Sequence, residues 1–235
     1  MPKEFLLLSE NRGSPPGSIP HRFVVIEGPI GVGKTSLARL LAQSNGGQLI
    51  LEEADQNPFL ERFYKNPRAA AFQTQLFFLF QRARQLEEVR QEDLFSAVRV
   101  ADYLLDKDRL FARVTLDDAE YALYERVYAR VVVDAPKPDL VVYLQAPVDV
   151  LVDRIAKRGI RYEQHIERAY LEKLTQAYAR FFHGYDASSL LIVNSASIDP
   201  VNSEDDYRLL FEQISKTRRG RHFFNPAGSS LLPAG

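Results

Sequence analysis

Residues 28–35 of the chain, GPIGVGKT, match the pattern G-x-x-x-x-G-K-T, which is typical of loops that bind phosphate groups. A β-branched run at 22–26 precedes the pattern, and a helical pattern with Leu37, Leu40 and Leu41 on one face follows it. This order of strand, glycine-rich loop and helix suits the chemistry, because the loop N–H groups and the helix N-terminus together attract an anion.

Within the loop, we expect Lys34 to reach the outer phosphates of a nucleotide, and the hydroxyl of Thr35 to hold Mg²⁺. The residues predicted to bind the nucleotide are Gly28, Pro29, Ile30, Gly31, Val32, Gly33, Lys34, Thr35 and Ser36.

The rest of the chain alternates between strand and helix patterns. The further strand patterns lie at 48–51, 97–101, 140–144 and 190–193. Such alternation predicts an α/β fold of three layers with a parallel sheet of five strands. We expect one domain at 21–215, between a flexible arm at 1–20 and a mostly disordered tail at 216–235, because both ends are rich in Pro, Gly and Ser.

The composition excludes several classes of site. The chain has no cysteine, which rules out disulfides, thiolate zinc sites and cysteine nucleophiles, and its 4 histidines show no metal-ligand spacing. The net charge of -1 indicates no broad surface for nucleic acid, and no apolar run approaches the roughly 20 residues of a membrane span. We therefore expect a cytoplasmic protein with neither nucleic-acid nor membrane partners.

Carboxylates follow two of the predicted strands. Glu52 and Glu53 follow the second strand, and Asp102 follows the third. Parallel sheets bind ligands at the carboxyl ends of their strands, and an aspartate there commonly assists Mg²⁺. We therefore expect Asp102 to be a metal ligand together with Thr35. For the glutamates, solvated loop carboxylates are the alternative, which their position beside the phosphate loop makes weaker.

Two further segments carry polar residues in suggestive places. Gln73 lies among the aromatic residues of a long helix predicted at 67–91, where a buried amide needs a partner such as a bound base. Arg154, Arg158 and Arg161 crowd a helix end and the following loop. Such a segment closes over a transferring phosphoryl group in some enzymes, although a solvated basic face is the alternative.

Together these motifs resemble those of the deoxynucleoside kinases, in particular their bacterial deoxyadenosine, deoxyguanosine and deoxycytidine branch. The resemblance covers roughly residues 21–215. Beyond the phosphate loop it includes NPFL at 57–60, Tyr64, FQT at 72–74, Asp102, Asp108-Arg109 and the arginine-rich segment with Glu163. It implies phosphoryl transfer from ATP, with Mg²⁺, to the 5′-hydroxyl of a deoxyribonucleoside. It also implies a homodimer, with a helix at 116–131 as a candidate interface whose tyrosines suit core packing equally well.

The resemblance gives matching residues their roles. Glu52 falls where the family has its general base, with Glu53 as the adjacent alternative, and the three arginines fall in the lid. The implied substrate contacts are Tyr64 and Glu163 for the sugar 3′-hydroxyl, Gln73 for the base edge, and Arg82 and Asp108 for the base preference.

One position departs from the family pattern. Where the family usually has an acidic residue followed by Arg-Ser, this chain has Asp102, Tyr103 and Leu104. If Tyr103 faces the site, a cation that supports the phosphoryl group is missing there. We expect the lid arginines or Arg109 to compensate for it.

Two other functions stay open at this point. A nucleoside monophosphate kinase of the thymidylate kinase type would share the loop, the sheet and the lid, but it needs an arginine for the acceptor's phosphate rather than a carboxylate base. A catalytically weakened, nucleotide-binding regulatory protein would fit the missing arginine. A GTPase switch does not fit, because the chain has no Asn-Lys-x-Asp to read guanine.

Overall fold

The computed structural model describes residues 18–91, 98–132 and 136–226, so residues 1–17 of the predicted arm and residues 227–235 of the predicted tail lie outside it. The strands are β1 (Phe23–Glu27), β2 (Gln48–Ile50), β3 (Arg99–Ala101), β4 (Leu140–Gln145), β5 (Ser189–Asn194) and β6 (Arg221–Phe224). The helices are α1 (Lys34–Ser44), α2 (Leu60–Lys65), α3 (Pro67–Gln91), α4 (Lys107–Thr115), α5 (Asp118–Val131), α6 (Val148–Arg158), α7 (Arg168–His183) and α8 (Glu204–Lys216). Short 3₁₀ turns lie at Ala54–Gln56 and Arg161–His165.

The sheet has the strand order β2-β3-β1-β4-β5-β6, and every neighbouring pair is parallel. All residues of β1 and the first five of β4 are buried. These strands lie in the middle of the sheet and are covered on both faces, which is why they read as continuous apolar runs in the sequence.

Helices cover both faces of the sheet and complete the three layers that the sequence predicted. One face packs against α1, α6 and α8 through a core that includes Leu41, Leu151 and Phe211. The other face packs against α4 and α7, with Leu110 and Tyr178 in its core. The predicted α/β class is therefore confirmed.

The prediction of five strands is wrong, because β6 adds a sixth. This strand lies within 216–235, the range assigned to a disordered tail, and its residues Arg221–Phe224 pair in parallel with β5. Arg221 also fixes the strand to the end of α7, since its Nη2 donates to the carbonyl of His183 at 2.7 Å. The basic residues before the strand concealed a short apolar run that a neighbouring strand can pair with.

The long helix α3 packs against α2, α4 and α5. The tyrosines of α5, which made this helix a candidate dimer interface, lie on its inner side: Tyr124 is fully buried and packs with Leu79 of α3. Two apolar side chains point outward from the same pair of helices, Phe80 at 53% exposure and Leu123 at 49%. Within the described ranges, every helix is too short or too polar to cross a bilayer.

Candidate active site

The phosphate loop connects β1 to α1 and is shaped by its glycines. Gly28 and Gly31 have φ values of 149° and 84°, in the region that favours glycine. A Cβ on Gly28 would lie 2.4 Å from the carbonyl oxygen of Leu144, so only glycine fits beneath β4. The loop ends at Gly33, the N-cap residue of α1, which has no side chain that could cap the helix. The first N–H groups of α1 are therefore left to bind an anion.

Lys34 lies folded over this loop. Its Nζ donates to the carbonyl oxygens of Gly28 at 2.8 Å and Pro29 at 3.2 Å. Burial and, to a smaller extent, the positive charge of Lys107 lower the pKa of Lys34 to about 8. This half-buried ammonium group bonds two loop carbonyls and is in position to bind an anion.

Thr35 and Asp102 meet at the carboxyl ends of β1 and β3. The Thr35 hydroxyl donates to Asp102 Oδ2 at 2.5 Å, and Asp102 Oδ1 accepts the N–H of Glu52 at 2.7 Å. A hydroxyl and a carboxylate are the hard oxygen ligands that Mg²⁺ prefers. In the described part of the chain, no group of three or more His, Cys, Asp or Glu side chains is arranged so that it could hold a metal ion.

A cavity of about 130 Å³ opens beside these residues. Its walls come from the phosphate loop, the ends of β2 and β3, and helices α2, α3, α4 and α6. The predicted site residues that line it are Ile30, Gly31, Lys34, Thr35, Glu52, Tyr64, Arg82, Asp102, Arg158 and Glu163. The cavity therefore joins the phosphate loop to the carboxylate at the end of β2.

Glu52 faces this cavity between two cations. Its Oε1 pairs with the guanidinium of Arg82, and its Oε2 accepts from Lys107 Nζ at 3.0 Å. The side chains of Arg82 and Lys107 are only 4% and 3% exposed, whereas Glu52 is 18% exposed toward the cavity. Glu53 is exposed and does not line the cavity. Of the two neighbouring glutamates, only Glu52 faces the cavity.

Helix α3 fixes the loop that carries Glu52. Gln85 donates to the carbonyl of Leu51 at 3.0 Å, and Gln81 donates to the carbonyl of Glu53 at 3.2 Å. These two bonds hold the backbone on either side of Glu52 against the helix.

Arg82 is itself buried and links Glu52 to Asp108, with which it forms a second ion pair. Asp108 is fully buried and lies behind Arg82 rather than on the cavity wall. The guanidinium also lies 4.7 Å from the ring centre of Phe78. Burial lowers the pKa of Arg82, which stays charged because its ordinary value is so high.

The expectation for Gln73 is not met. Gln73 is exposed, and the amide that lines the cavity is Gln75, which is 2% exposed. Residues that are two positions apart in a helix lie about 200° apart around its axis. Only one of these two glutamines can therefore face the cavity. The spacing of Gln75 to Phe78 and Arg82 is i, i+3 and i+7, which places all three on one helix face. That spacing is the signal in the sequence that identifies Gln75.

Tyr64 and Glu163 both line the cavity. The Tyr64 ring stacks on Tyr162 with centres 6.1 Å apart, and the Tyr162 hydroxyl donates to Asp55 at 2.5 Å. Burial raises the pKa of Tyr64 well above its ordinary value, so the hydroxyl stays a neutral donor. Burial also raises the pKa of Glu163, against the opposing effect of Arg158.

The three predicted lid arginines have three different surroundings. Arg158 lines the cavity, and its Nε and Nη2 donate to Glu163 at 3.0 and 2.6 Å. Arg154 instead holds the phosphate loop, because its Nη1 donates to the carbonyl of Val32 at 3.1 Å. Arg161 is exposed and outside the cavity wall. Only Arg158 is at the site.

Sequence reasoning missed two charged residues. Glu27, the last residue of β1, is fully buried and accepts from the N–H groups of Gly28 and Leu104 at 2.8 and 2.7 Å. It thereby ties the phosphate loop to the segment after β3. An acidic residue ending an apolar strand was the available signal. The other missed residue is Lys107, which nothing in the local sequence distinguishes from a surface lysine.

Tyr103 does not take the place that its family counterpart suggested. Its side chain is 2% exposed and does not line the cavity. Its hydroxyl donates to Gln85 at 2.9 Å, and its ring lies 5.7 Å from the Arg82 guanidinium. Arg109, one expected substitute for the missing cation, is 51% exposed and pairs with Glu125.

Comparisons with known proteins agree with this geometry. A family model described as deoxynucleoside kinase matches residues 24–218. The chain is 41% identical over 157 residues to deoxyguanosine kinase of Bacillus subtilis (strain 168). The matched segment covers 66% of this chain and 76% of that protein. The chain is 29% identical over 210 residues to deoxyadenosine kinase of Lactobacillus acidophilus, covering 83% and 96%. The solved structure of deoxyadenosine kinase from M. mycoides with bound dATP matches with a TM-score of 0.72 and 25% identity, over 83% of this chain and 99% of that chain. The resemblance noted in the sequence is confirmed, and the chain belongs to the deoxynucleoside kinase family.

Proposed function

We propose that the protein transfers the γ-phosphoryl group of ATP to the 5′-hydroxyl of a deoxyribonucleoside and releases the nucleoside 5′-monophosphate and ADP. The observation that carries the proposal is the shared cavity, in which the carboxylate of Glu52 lies beside Lys34 and Thr35 of the phosphate loop. A base and a phosphate-binding lysine in one cavity are what transfer to a hydroxyl requires.

In this proposal Glu52 accepts the proton of the 5′-hydroxyl, and the cations around it hold the carboxylate in place. Lys34 contacts the outer phosphates of the donor, and Arg158 turns from Glu163 toward the transferring group when substrate binds. Thr35 and Asp102 would hold Mg²⁺, which when bound offsets the charge of the donor phosphates. Catalysis of this kind depends on positioning and charge rather than on covalent chemistry.

The nucleoside is proposed to lie along α3. Gln75 takes the role foreseen for Gln73 and bonds the base edge, because it is a buried amide that faces the cavity. Tyr64 and Glu163 bond the 3′-hydroxyl of the sugar. Arg82 lies on the cavity wall beside the base, held by its ion pair with the buried Asp108, and this pair biases the choice of base. The two relatives described above are named as a deoxyguanosine and a deoxyadenosine kinase, which favours a purine deoxynucleoside.

A monophosphate kinase of the thymidylate kinase type is disfavoured by the surroundings of Glu52. An acceptor phosphate there would meet a carboxylate, and the nearest guanidinium, on Arg82, is already neutralised by Glu52 and Asp108. A purely regulatory protein would need none of these groups to be aligned with the phosphate loop.

The assay is ADP production with each of the four deoxynucleosides, together with detection of the 5′-monophosphate. We expect one or two of them to stimulate ADP release strongly, and Lys34→Ala to abolish it. Stimulation by a deoxynucleoside monophosphate alone would establish the thymidylate kinase alternative instead. Binding of ATP without any turnover would support the regulatory one.

A homodimer in the cytoplasm completes the proposal. The dimer has support from Phe80 and Leu123, which are exposed apolar side chains on the packed helices α3 and α5. Light scattering at micromolar concentration is the test, and we expect Leu123→Glu to shift a dimer toward the monomer while Leu123→Ala leaves it in place. A wild-type protein that is monomeric there would remove this part of the proposal. The cytoplasmic location rests on the sequence expectation alone.

A further inference from the structure

Lys107 is an unusually placed lysine. It is the first residue of α4, its side chain is 3% exposed, and its Nζ donates to Glu52 Oε2 at 3.0 Å. Its Nζ lies over the ring of Phe111, one helical turn on, at 5.8 Å from the ring centre. The ammonium group faces the same cavity as Lys34 and Glu52. Lysine is rarely buried to this degree unless it is paired, and the partner of Lys107 is Glu52.

The ammonium group of Lys107 lies where the two halves of the site meet. On one side it bonds the oxygen of Glu52, the proposed base. On the other side it shares the cavity wall with Lys34. An ammonium group has three N–H donors, and the bond to Glu52 uses one of them.

The other cations near the cavity are engaged elsewhere. Arg82 forms ion pairs with Glu52 and Asp108, and Arg158 forms a bidentate ion pair with Glu163. Arg154 holds the phosphate loop from outside the cavity. Lys107 is thus the best-placed cation between the base and the phosphate-binding lysine.

We propose that Lys107 is a catalytic residue that donates hydrogen bonds to the acceptor oxygen and to the transferring phosphoryl group. This inference rests on the proposed function. The 5′-oxygen gives its proton to Glu52 and forms a bond to the γ-phosphorus, while the bond from that phosphorus to the β,γ-bridging oxygen breaks and ADP leaves with the electron pair. Lys107 keeps its proton throughout and offsets the negative charge on the oxygens.

The product carries its phosphate where the transferred group comes to rest, so binding alone can test the role. We would measure by calorimetry the affinities of deoxyguanosine and deoxyadenosine, and of their 5′-monophosphates, for the wild type, Lys107→Met and Lys107→Arg. Lys173→Met, at an exposed lysine of α7, is the matched control for the loss of one charge.

We expect Lys107→Met to raise the Kd of the monophosphate about tenfold or more, the scale of a lost hydrogen bond to a charged group. The Kd of the nucleoside should change less, by about threefold, since the nucleoside offers Lys107 only the neutral 5′-oxygen and no phosphate. Lys107→Arg should recover most of the monophosphate affinity, and Lys173→Met should match the wild type. An equal change for nucleoside and monophosphate, or no change for either, would overturn the proposal.

A second comparison separates direct contact from an effect through Glu52. Glu52→Gln with Lys107→Met removes both charges of the ion pair, which also guards against misfolding of the single Lys107 variant. Compared with Glu52→Gln alone, the double variant should still lose about tenfold in monophosphate affinity. If the loss disappears, Lys107 acts only by positioning Glu52 and the proposal fails.

The two proposals fail in different ways. A wild-type protein that phosphorylates no deoxynucleoside refutes the proposed function and the role of Lys107 with it. A wild-type protein that phosphorylates one, with kcat and monophosphate affinity preserved in Lys107→Met, refutes the role of Lys107 alone.

Discussion

Replacing Glu52 with glutamine tests the central assignment of the site, because it removes the charge and keeps the shape. A positioned base contributes about 10²- to 10⁴-fold, so kcat should fall by about 10² or more while nucleoside affinity changes little. The structure also sets a cost in stability. The carboxylate bonds two buried cations, Arg82 and Lys107, and the single oxygen of an amide can keep only one of these bonds.

The lost charge-assisted bond is worth about 1.5–3 kcal/mol in the free energy of unfolding. A domain of this size loses about 2–4 °C of Tm for each kcal/mol, so Tm should fall by about 3–12 °C. Steady-state kinetics and thermal unfolding measure the two effects in one preparation. The matched control is Glu53→Gln, an exposed neighbour that should keep kcat and change stability by less than about 0.5 kcal/mol. A large loss of kcat in Glu53→Gln, with Glu52→Gln near the wild type, would refute the assignment.

Three further predictions follow from the cavity. Lys34→Ala should abolish phosphoryl transfer and leave the far-ultraviolet circular dichroism unchanged, because Lys34 bonds only loop carbonyls; near-normal turnover by the folded variant would end the kinase interpretation. Gln75→Ala should raise the KM of the nucleoside about tenfold while Gln73→Ala does not, and the reverse result would mean that α3 is rotated. The kcat/KM for ATP should fall as the pH rises through about 8. Burial lowers the pKa of Lys34 and that of Lys107 to about 8, and a lysine is charged only below its pKa. A pH–rate profile that stays flat up to pH 10 would contradict this.

The sequence predicted the fold class well because its strongest signals are local. The glycine-rich loop, the β-branched run before it and the leucines after it each specify one element, and their order specifies a parallel sheet. The sixth strand was missed because Arg221–Phe224 is short and follows basic residues, and only pairing with β5 reveals it as a strand. Edge strands of this kind carry little signal of their own.

Side chains on helices were harder to predict than carboxylates at strand ends. Sheet order brings the ends of β2 and β3 together, so Glu52 and Asp102 had to lie close to each other once the topology was known. A residue on a helix is different, because a shift of two positions turns a side chain by about 200°. The choice of Gln73 over Gln75 is an error of this size. The phase of α3 is fixed by packing partners that lie far away in sequence.

The same difficulty of predicting which side of a helix faces the site arises in α4, which contains the candidates to replace the family arginine that is absent after Asp102. The expected compensation came from Arg109 or the lid, but Arg109 lies two positions beyond Lys107 and therefore on the opposite side of α4. Lys107 shares its side of the helix with Phe111, which also lines the cavity. The Tyr103 ring lies beside the Arg82 guanidinium, and the Tyr103 hydroxyl donates to Gln85. We infer that Lys107, at the start of α4, supplies the positive charge that the arginine after the acidic residue usually supplies in the family. The site therefore keeps a cation although Tyr103 follows Asp102 here.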